Sequence, residues 1–375
     1  MTAQFAATIA TGDPADLPAR CIAGLPRIAA ANLGILYLTE PAAPVMLELV
    51  SALTKSTGIS SWVGGVGLGI CSAEDEIFDR PAAVAMTAAL PPHDFRVFAA
   101  TDNPGADLPR RHADWLKAAQ PMLALVHGDP RCPDLPRAAI ETAAASGAFL
   151  VGGLVSHRCP RPLLARTSDR DELGANGMAG LMLSPDVAVA TGLTQGCTPI
   201  GPVHRIDEAR DNIVMAIDGR PALAVFIDDI GPALASDLRR VGGLIFAGLP
   251  VAGSDTGDYL VRNLMAIDPG RGWIVLGAEI APGDQILFCR RDPDSARQDM
   301  VRMVQQLARR LSGPPKAGVY VSCCARGAAL FGEPGVETRL IREGLGDFPL
   351  VGFFANGEIS RDRLYGHTGV LTLFT

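Results

Sequence analysis

Three hydrophobic segments of the chain carry a Val-Gly dipeptide, and their surroundings constrain the fold more than any other feature. The segments read WVGGVGLG at residues 62–69, LVGGLVSH at 150–157 and LVGFFANGEIS at 350–360. Each dipeptide follows the start of an earlier hydrophobic strand by about 30 residues, with helically spaced apolar residues between them. A further strand-like segment comes after each. The order strand, helix, glycine-bearing strand, strand therefore occurs three times and predicts an internally pseudo-symmetric α/β fold.

The three units share their element order but not their spacing. The predicted segments are 33–39, 44–57, 62–69 and 82–90, then 122–127, 134–146, 148–155 and 177–183, then 317–322, 334–345, 348–354 and 367–374. Because the connecting segments differ in length, a solenoid of stacked repeats does not explain them. Short strand returns after the glycine-bearing strands favour mixed or largely antiparallel sheets, covered by helices, over a purely parallel sheet.

Composition and charge narrow the functional classes. The 375 residues, 48% hydrophobic and 19% charged, are enough for two or three domains with a large buried core. The formal net charge of −7 argues against nucleic acid as a partner. Asp13 and Asp16 precede any long apolar stretch, so no signal peptide is predicted. The longest apolar candidate, residues 177–193, is interrupted by a Ser-Pro-Asp sequence, so no membrane association is predicted.

The eight cysteines point to a reduced compartment. They form no CxxC pair, and no Cys and His stand at zinc-finger spacing. We therefore expect a cytoplasmic protein with no structural metal and no cofactor.

The repeated glycines allow two explanations. A glycine inside a strand permits a bulge or the close approach of another backbone. Alternatively, the missing side chains leave space at the strand end, where polar groups of the following turn converge on a small ligand. The two explanations are compatible, because a glycine bulge can itself shape a pocket.

The chain resembles the FIST family over nearly its whole length. Residues Val203–Asp229, a strand, a turn, a strand and then DGRPALAVFIDD, resemble the start of a C-terminal FIST domain. The segments YVSCCARGAALFG, FPLVGFFANGEIS and RLYGHTGVLTLF look like its end. The first half, from LGILYLTEPAAP through LVGGLVS, is similar to the N-terminal FIST domain. The resemblance implies two FIST-like halves, with predicted domains at residues 25–195 and 196–375.

The resemblance also implies a function and a site. FIST domains are regarded as sensory modules that bind small ligands, with amino acids or related metabolites proposed, so a stand-alone chain would signal through a separate protein. Carried over by position, the ligand-binding residues are Cys323, Arg326, Gly352, Asn356, Gly357 and Glu358. The second unit adds Gly152, Gly153 and Ser156, with His157 beside them. Arg326 suits a carboxylate and Glu358 an ammonium, although the two could instead pair with each other.

Two alternatives to a sensor remain open at this point. The first is an enzyme that uses Cys323 or Cys324 as its nucleophile, with Arg326 close enough in sequence to lower a thiol pKa from ~8.5. Cysteine in a strand as apolar as VYVSCC is more often a core residue, and no catalytic partner can be assigned. The second alternative is a protein-binding scaffold, which would need a large exposed apolar patch.

Overall fold

The chain contains alternating strands and helices in two compact units. The computed structural model describes residues 4–156, 158–167, 170–251 and 259–375. One unit comprises residues 1–194 and 300–375, and we call it the three-sheet unit. The other comprises residues 195–299, and we call it the inserted unit because it interrupts the first in sequence.

The strands are numbered in chain order. The first thirteen are β1 Gln4–Thr11, β2 Leu33–Thr39, β3 Ser61–Gly67, β4 Gly69–Ser72, β5 Glu76–Phe78, β6 Ala82–Ala89, β7 Phe95–Thr101, β8 Leu123–Asp129, β9 Phe149–Leu154, β10 Leu163–Thr167, β11 Arg170–Gly174, β12 Gly177–Leu183 and β13 Val189–Gln195. The others are β14 Cys197–Pro199, β15 His204–Arg210, β16 Ile213–Ile217, β17 Arg220–Pro221, β18 Ile245–Pro250, β19 Tyr259–Asp268, β20 Trp273–Leu276, β21 Gln285–Arg291, β22 Ala317–Cys323, β23 Leu350–Ala355, β24 Glu358–Arg361, β25 Arg363–Tyr365 and β26 Thr368–Phe374.

The helices are numbered in the same way. They are α1 Leu17–Gly24, α2 Met46–Thr57, α3 Pro104–Ala119, α4 Leu135–Ser146, α5 Ala222–Ala235, α6 Pro293–Arg310, α7 Ala328–Phe331 and α8 Val336–Leu345. Short 3-10 helices cover Pro14–Asp16, Glu40–Val45 and Leu238–Val241. Within the described ranges, no helix is both long and apolar enough to span a membrane.

The three-sheet unit contains three sheets of six strands with the same arrangement. Their orders are β1-β6-β2-β3-β10-β11, β7-β12-β8-β9-β24-β25 and β13-β26-β22-β23-β4-β5. In each sheet the two middle strands, β2 and β3, β8 and β9, or β22 and β23, are parallel and are joined through a helix. The predicted threefold internal repeat and the mixed α/β class are therefore confirmed.

The repeats exchange strands around a pseudo-threefold axis. After β3 the chain enters β4, which pairs with β23 of the third repeat. After β23 it enters β24, which pairs with β9 of the second repeat. After β9 it enters β10, which pairs with β3 of the first repeat. Each sheet is therefore completed by a strand from another repeat, so the three repeats form one unit.

Main-chain hydrogen bonds close this exchange at the strand ends. Val66, Leu154 and Phe354 are equivalent positions in the three repeats, and the residue two positions after each is Leu68, Ser156 or Asn356. The backbone N–H of each of these later residues donates to the carbonyl oxygen of an equivalent position in another repeat. The three bonds join Leu68 N to Phe354 O (3.0 Å), Asn356 N to Leu154 O (3.3 Å) and Ser156 N to Val66 O (2.7 Å). Because the segments around Asn356 and Ser156 are equivalent, the two predicted ligand-binding segments lie at the same end of the unit.

One apolar core lies between the three sheets, and each outer face carries a pair of helices. The inner core draws residues from all three sheets, among them Val63, Val151 and Val351 of the Val-Gly dipeptides. The outer faces are covered by α1 with α2, by α3 with α4, and by α6 with α8. Burial of both sheet faces explains why the middle strands are continuously hydrophobic in sequence.

The inserted unit is a closed antiparallel barrel. Strands β21, β15, β16, β20, β19 and β18 pair in that order, and β18 pairs again with β21. Helix α5 shares an apolar core with these strands. His204 joins two parts of this unit, because its ring nitrogens lie 2.7 Å from Asp218 Oδ2 and 2.9 Å from Asp229 Oδ2.

The compact units do not follow the order of the sequence. Residues 300–375 belong to the three-sheet unit because β22, β23 and β26 form the middle of its third sheet. The domains predicted from sequence, 25–195 and 196–375, therefore do not coincide with the two compact units. The predicted division into two FIST-like halves stays a prediction.

Candidate functional site

The candidate site lies at the ends of β22 and β23 and the starts of β24 and β26. Cys323 ends β22, Glu358 begins β24 and Thr368 begins β26. Since β22 and β23 are parallel, their carboxyl ends meet at one edge of the sheet. The turn after β23 returns the chain as β24, which brings Glu358 next to Thr368.

Glu358 is fully buried and only half satisfied. Its Oε2 accepts hydrogen bonds from the Thr368 backbone N–H (3.1 Å) and from Thr368 Oγ1 (2.7 Å). Its Oε1 is buried without a hydrogen-bond partner among the residues that the structure describes. Burial, and secondly the neighbouring Cys323, raise the pKa of Glu358 well above its usual value, whereas Arg326 lowers it. The proton equilibrium of Glu358 is therefore shifted toward the neutral carboxyl group.

Arg326 is buried as well, and part of its guanidinium group is unused. Its Nε donates to Glu337 Oε1 at 2.7 Å, and its side chain stacks over the ring of Phe331 at 5.5 Å. Nη1 and Nη2 are buried and make no hydrogen bond within the described part of the chain. Burial alone would lower the pKa of Arg326, but the Glu337 carboxylate raises it, so the side chain stays charged.

Glu337 anchors Arg326 in a buried polar network. Its carboxylate also accepts from Tyr320 Oη (2.5 Å), Ser322 Oγ (3.0 Å to Oε2) and the Gly327 backbone N–H (3.1 Å). Arg326 therefore pairs with Glu337 rather than with Glu358, which was the alternative left open by the sequence. The only sequence signal for this pair is that Glu337 lies in the first turn of the predicted helix 334–345. That position alone does not identify Arg326 as its partner.

The two adjacent cysteines differ in environment. Cys323 is buried, whereas Cys324 is half-buried just beyond the end of β22. Contact with Cys324, and secondly burial, raise the pKa of Cys323, while the same contact lowers the pKa of Cys324. The contact therefore favours the thiolate form at Cys324 over that at Cys323.

The predicted glycines lie in tightly packed backbone rather than beside open space. A Cβ on Gly352 would lie 1.9 Å from the Tyr320 carbonyl oxygen, and one on Gly152 would lie 1.9 Å from that of Val126. A Cβ on Gly153 would lie within 3.0 Å of three atoms, two of them in side chains. Gly152 and Gly352 therefore allow parallel strands to approach each other, Gly153 allows close packing against Val321 and Ala355, and the ligand-contacting role expected for the three glycines stays a prediction.

The remaining predicted residues lie around the same strand ends. Gly357 has φ +130°, and its carbonyl accepts from the Leu154 N–H, so it shapes the turn before Glu358. Asn356 is exposed in that turn. Ser156 is fully buried and donates to Glu40 Oε1, which links it to a different strand end from Glu358. His157 lies outside the described residues.

A pair of polar side chains that the sequence did not reveal lies between the sheets. Tyr37 Oη and His127 Nε2 are 2.9 Å apart, and both residues are fully buried. Burial lowers the pKa of His127 to about 3, so the ring is neutral. Among the described residues, no group of three or more His, Cys, Asp or Glu side chains could hold a metal ion.

Sequence comparisons with known proteins identify relatives and a family. The chain is 29% identical over 340 residues to an uncharacterised protein of Mycobacterium tuberculosis H37Rv, covering 88% of this chain and 87% of the relative. An uncharacterised protein of Mycobacterium bovis is 29% identical over 338 residues, or 87% and 86% of the two chains. Sequence models of the FIST N domain and the FIST C domain match residues 32–220 and 222–361. The chain therefore belongs to the FIST family, whose domains are generally sensory modules of signal transduction proteins.

Proposed function

We propose that the chain is a stand-alone sensory protein that binds a small metabolite between Arg326 and Glu358. The observation that carries this proposal is the set of buried polar atoms without partners in the described structure, namely Glu358 Oε1 and Arg326 Nη1 and Nη2. A buried donor or acceptor without a partner costs about 1–3 kcal/mol, and more when the group is charged. A ligand that hydrogen-bonds to these atoms recovers that free energy.

An amino acid has the chemistry that these atoms require. Its carboxylate matches the free edge of the Arg326 guanidinium group, and its ammonium group matches a carboxylate at Glu358. Cys323 raises the pKa of both Arg326 and Glu358, which indicates that its side chain lies near both residues. The ligand is therefore expected to contact Cys323 as well.

The raised pKa of Glu358 makes binding dependent on pH in a way that identifies the ligand class. An ammonium group favours the ionised carboxylate, so amino-acid binding releases the proton of Glu358 and its affinity rises with pH up to that pKa. A ligand that accepts a hydrogen bond from the protonated carboxyl group shows the opposite trend. Isothermal titration at several pH values distinguishes the two classes.

A binding screen tests the proposal itself. The purified protein is heated with a panel of amino acids and organic acids, and one class should raise its melting temperature. Ligand at 100 times its dissociation constant stabilises the folded state by about 2.7 kcal/mol. An unchanged melting temperature across the whole panel would contradict the proposal.

Glu358→Gln is the decisive variant. Gln keeps an acceptor for Thr368 but removes the carboxylate, so affinity for the bound class should fall by about tenfold or more. Glu333→Gln is the matched control, because Glu333 is an exposed glutamate paired with Arg339. Equal loss of affinity in both variants would argue against a site at Glu358. In this proposal, ligand occupancy is passed to a separate signalling protein.

A further inference from the structure

A second cleft lies at the opposite end of the three-sheet unit. It has a volume of about 430 Å³, and we call it the α1–α2 cleft. It is bounded by the end of α1, the loop from Pro26 to Ala31, the end of α2 and Thr87 of β6. Because α2 precedes β3 in a parallel βαβ unit, this cleft lies at the amino ends of the strands, away from Glu358.

The polar floor of the cleft has an unused hydroxyl group. Thr87 is only 2% exposed, and its Oγ1 has no hydrogen-bond partner in the described structure. The neighbouring hydroxyl of Thr57 is already used, because it donates to the Leu53 carbonyl oxygen at 2.7 Å. Thr87 is therefore the buried group in this cleft that a ligand would satisfy.

The electrostatics of the cleft favour a cation. Both α1 and α2 end there, at Gly24 and Thr57. The last carbonyl groups of a helix have no partner within the helix, and they carry the negative end of its dipole. Arg27 also lines the cleft, and its exposed guanidinium group is a positive charge that opposes cation binding. The remaining carbonyl groups at the two helix ends therefore offer acceptors to a hydrogen-bond donor in the cleft.

The walls of the cleft suit a short hydrocarbon chain. Ile22, Leu25, Ile28 and Ile59 line it, and Leu25 and Ile59 are buried. A cleft of this volume falls in the size range of small-molecule sites. We propose that the α1–α2 cleft binds a primary alkylammonium ligand, with the ammonium group at Thr87 and the helix carboxyl ends and the alkyl chain against the isoleucines.

Titration of the purified protein with n-butylammonium, butyrate and 1-butanol tests the ligand class. Butylammonium should bind, 1-butanol should bind with an affinity at least about tenfold lower, and butyrate should not bind. Binding of butyrate with the affinity of butylammonium, or no binding of butylammonium, would overturn the proposal.

Four variants test the placement. Thr87→Val keeps the shape and removes the hydroxyl, so it should weaken butylammonium binding by about tenfold, whereas Thr87→Ser should retain binding. Arg27→Ala should strengthen amine binding, because it removes a positive charge. Weaker binding by Arg27→Ala would indicate an anion site and would overturn the proposal. Glu333→Gln, a change at an exposed glutamate that does not line the cleft, should leave butylammonium binding unchanged, and an equal loss of binding there would overturn the placement.

Discussion

The close approach of the parallel strands at Gly152 gives a quantitative test of the repeated Val-Gly motif. A Cβ at this position would lie 1.9 Å from the Val126 carbonyl oxygen, about 1.1 Å closer than the 3.0 Å below which Cβ atoms are essentially never found. The backbone φ of Gly152 is +145°, which other residues rarely adopt. Overpacking costs about 1–3 kcal/mol and a disfavoured backbone conformation about 1–3 kcal/mol. Gly152→Ala should therefore destabilise the three-sheet unit by about 2–6 kcal/mol.

Urea unfolding measures this loss of stability. The transition is followed by the fluorescence of Trp62 and Trp115, which both lie in the three-sheet unit. Gly352→Ala meets the same 1.9 Å overlap without a left-handed φ, so it should cost only about 1–3 kcal/mol. Gly313→Ala is the control, because a Cβ there has no atom within 4 Å. If Gly152→Ala unfolds at the same urea concentration as Gly313→Ala, the close strand approach is not what requires glycine.

Three further predictions concern ionisable groups. Glu337→Gln leaves the buried charge of Arg326 without a counter-ion, and it should lower the free energy of unfolding by about 3–5 kcal/mol in urea titrations. His204 has a raised pKa because its two carboxylate partners outweigh its burial. Its stabilisation of the inserted unit should be complete below pH ~6.5 and lost as the pH rises through the raised pKa, so a His204→Gln variant should match the parent only at high pH. Iodoacetamide should alkylate half-buried Cys324, whose pKa is lowered, at least about tenfold faster than Cys71, which is fully buried with a raised pKa; equal rates would remove the physical basis of the enzyme alternative.

The repeated elements were predictable from sequence because each is fixed by local chemistry. The helical spacing of apolar residues in 44–57 and 334–345 corresponds to α2 and α8. The continuous hydrophobic runs correspond to middle strands whose two faces are both buried. The middle strands and the helices that join them could therefore be predicted from local sequence, whereas β1, β7 and β10 were not predicted.

The exchange of strands between repeats could not be predicted in this way. Strand β4 pairs with β23 of the third repeat, but its residues would suit pairing within its own repeat equally well. Pairing between distant segments leaves no periodic signal in the sequence. The inserted unit was visible as a different region, but its closure into a barrel depends on the pairing of β18 with β21. These features are set by tertiary packing.

The ligand-binding role of the candidate residues stays a prediction, but part of their arrangement could be expected from the sequence. Cys323, Arg326 and Glu358 lie at one strand end, where the position of the motif placed them. The partner of Arg326 was missed, because Glu337 lies on a helix and reaches the turn only in the folded chain. The close packing around the glycines could not be separated from a ligand-binding role by sequence, since the same residue type is used for both purposes.

A structure of the protein saturated with the best ligand of the metabolite panel tests the central claim most directly. The account predicts that polar atoms of the ligand lie within hydrogen-bond distance of Glu358 Oε1 and of Arg326 Nη1 or Nη2. A ligand bound elsewhere, with these three atoms still unpaired, would contradict it.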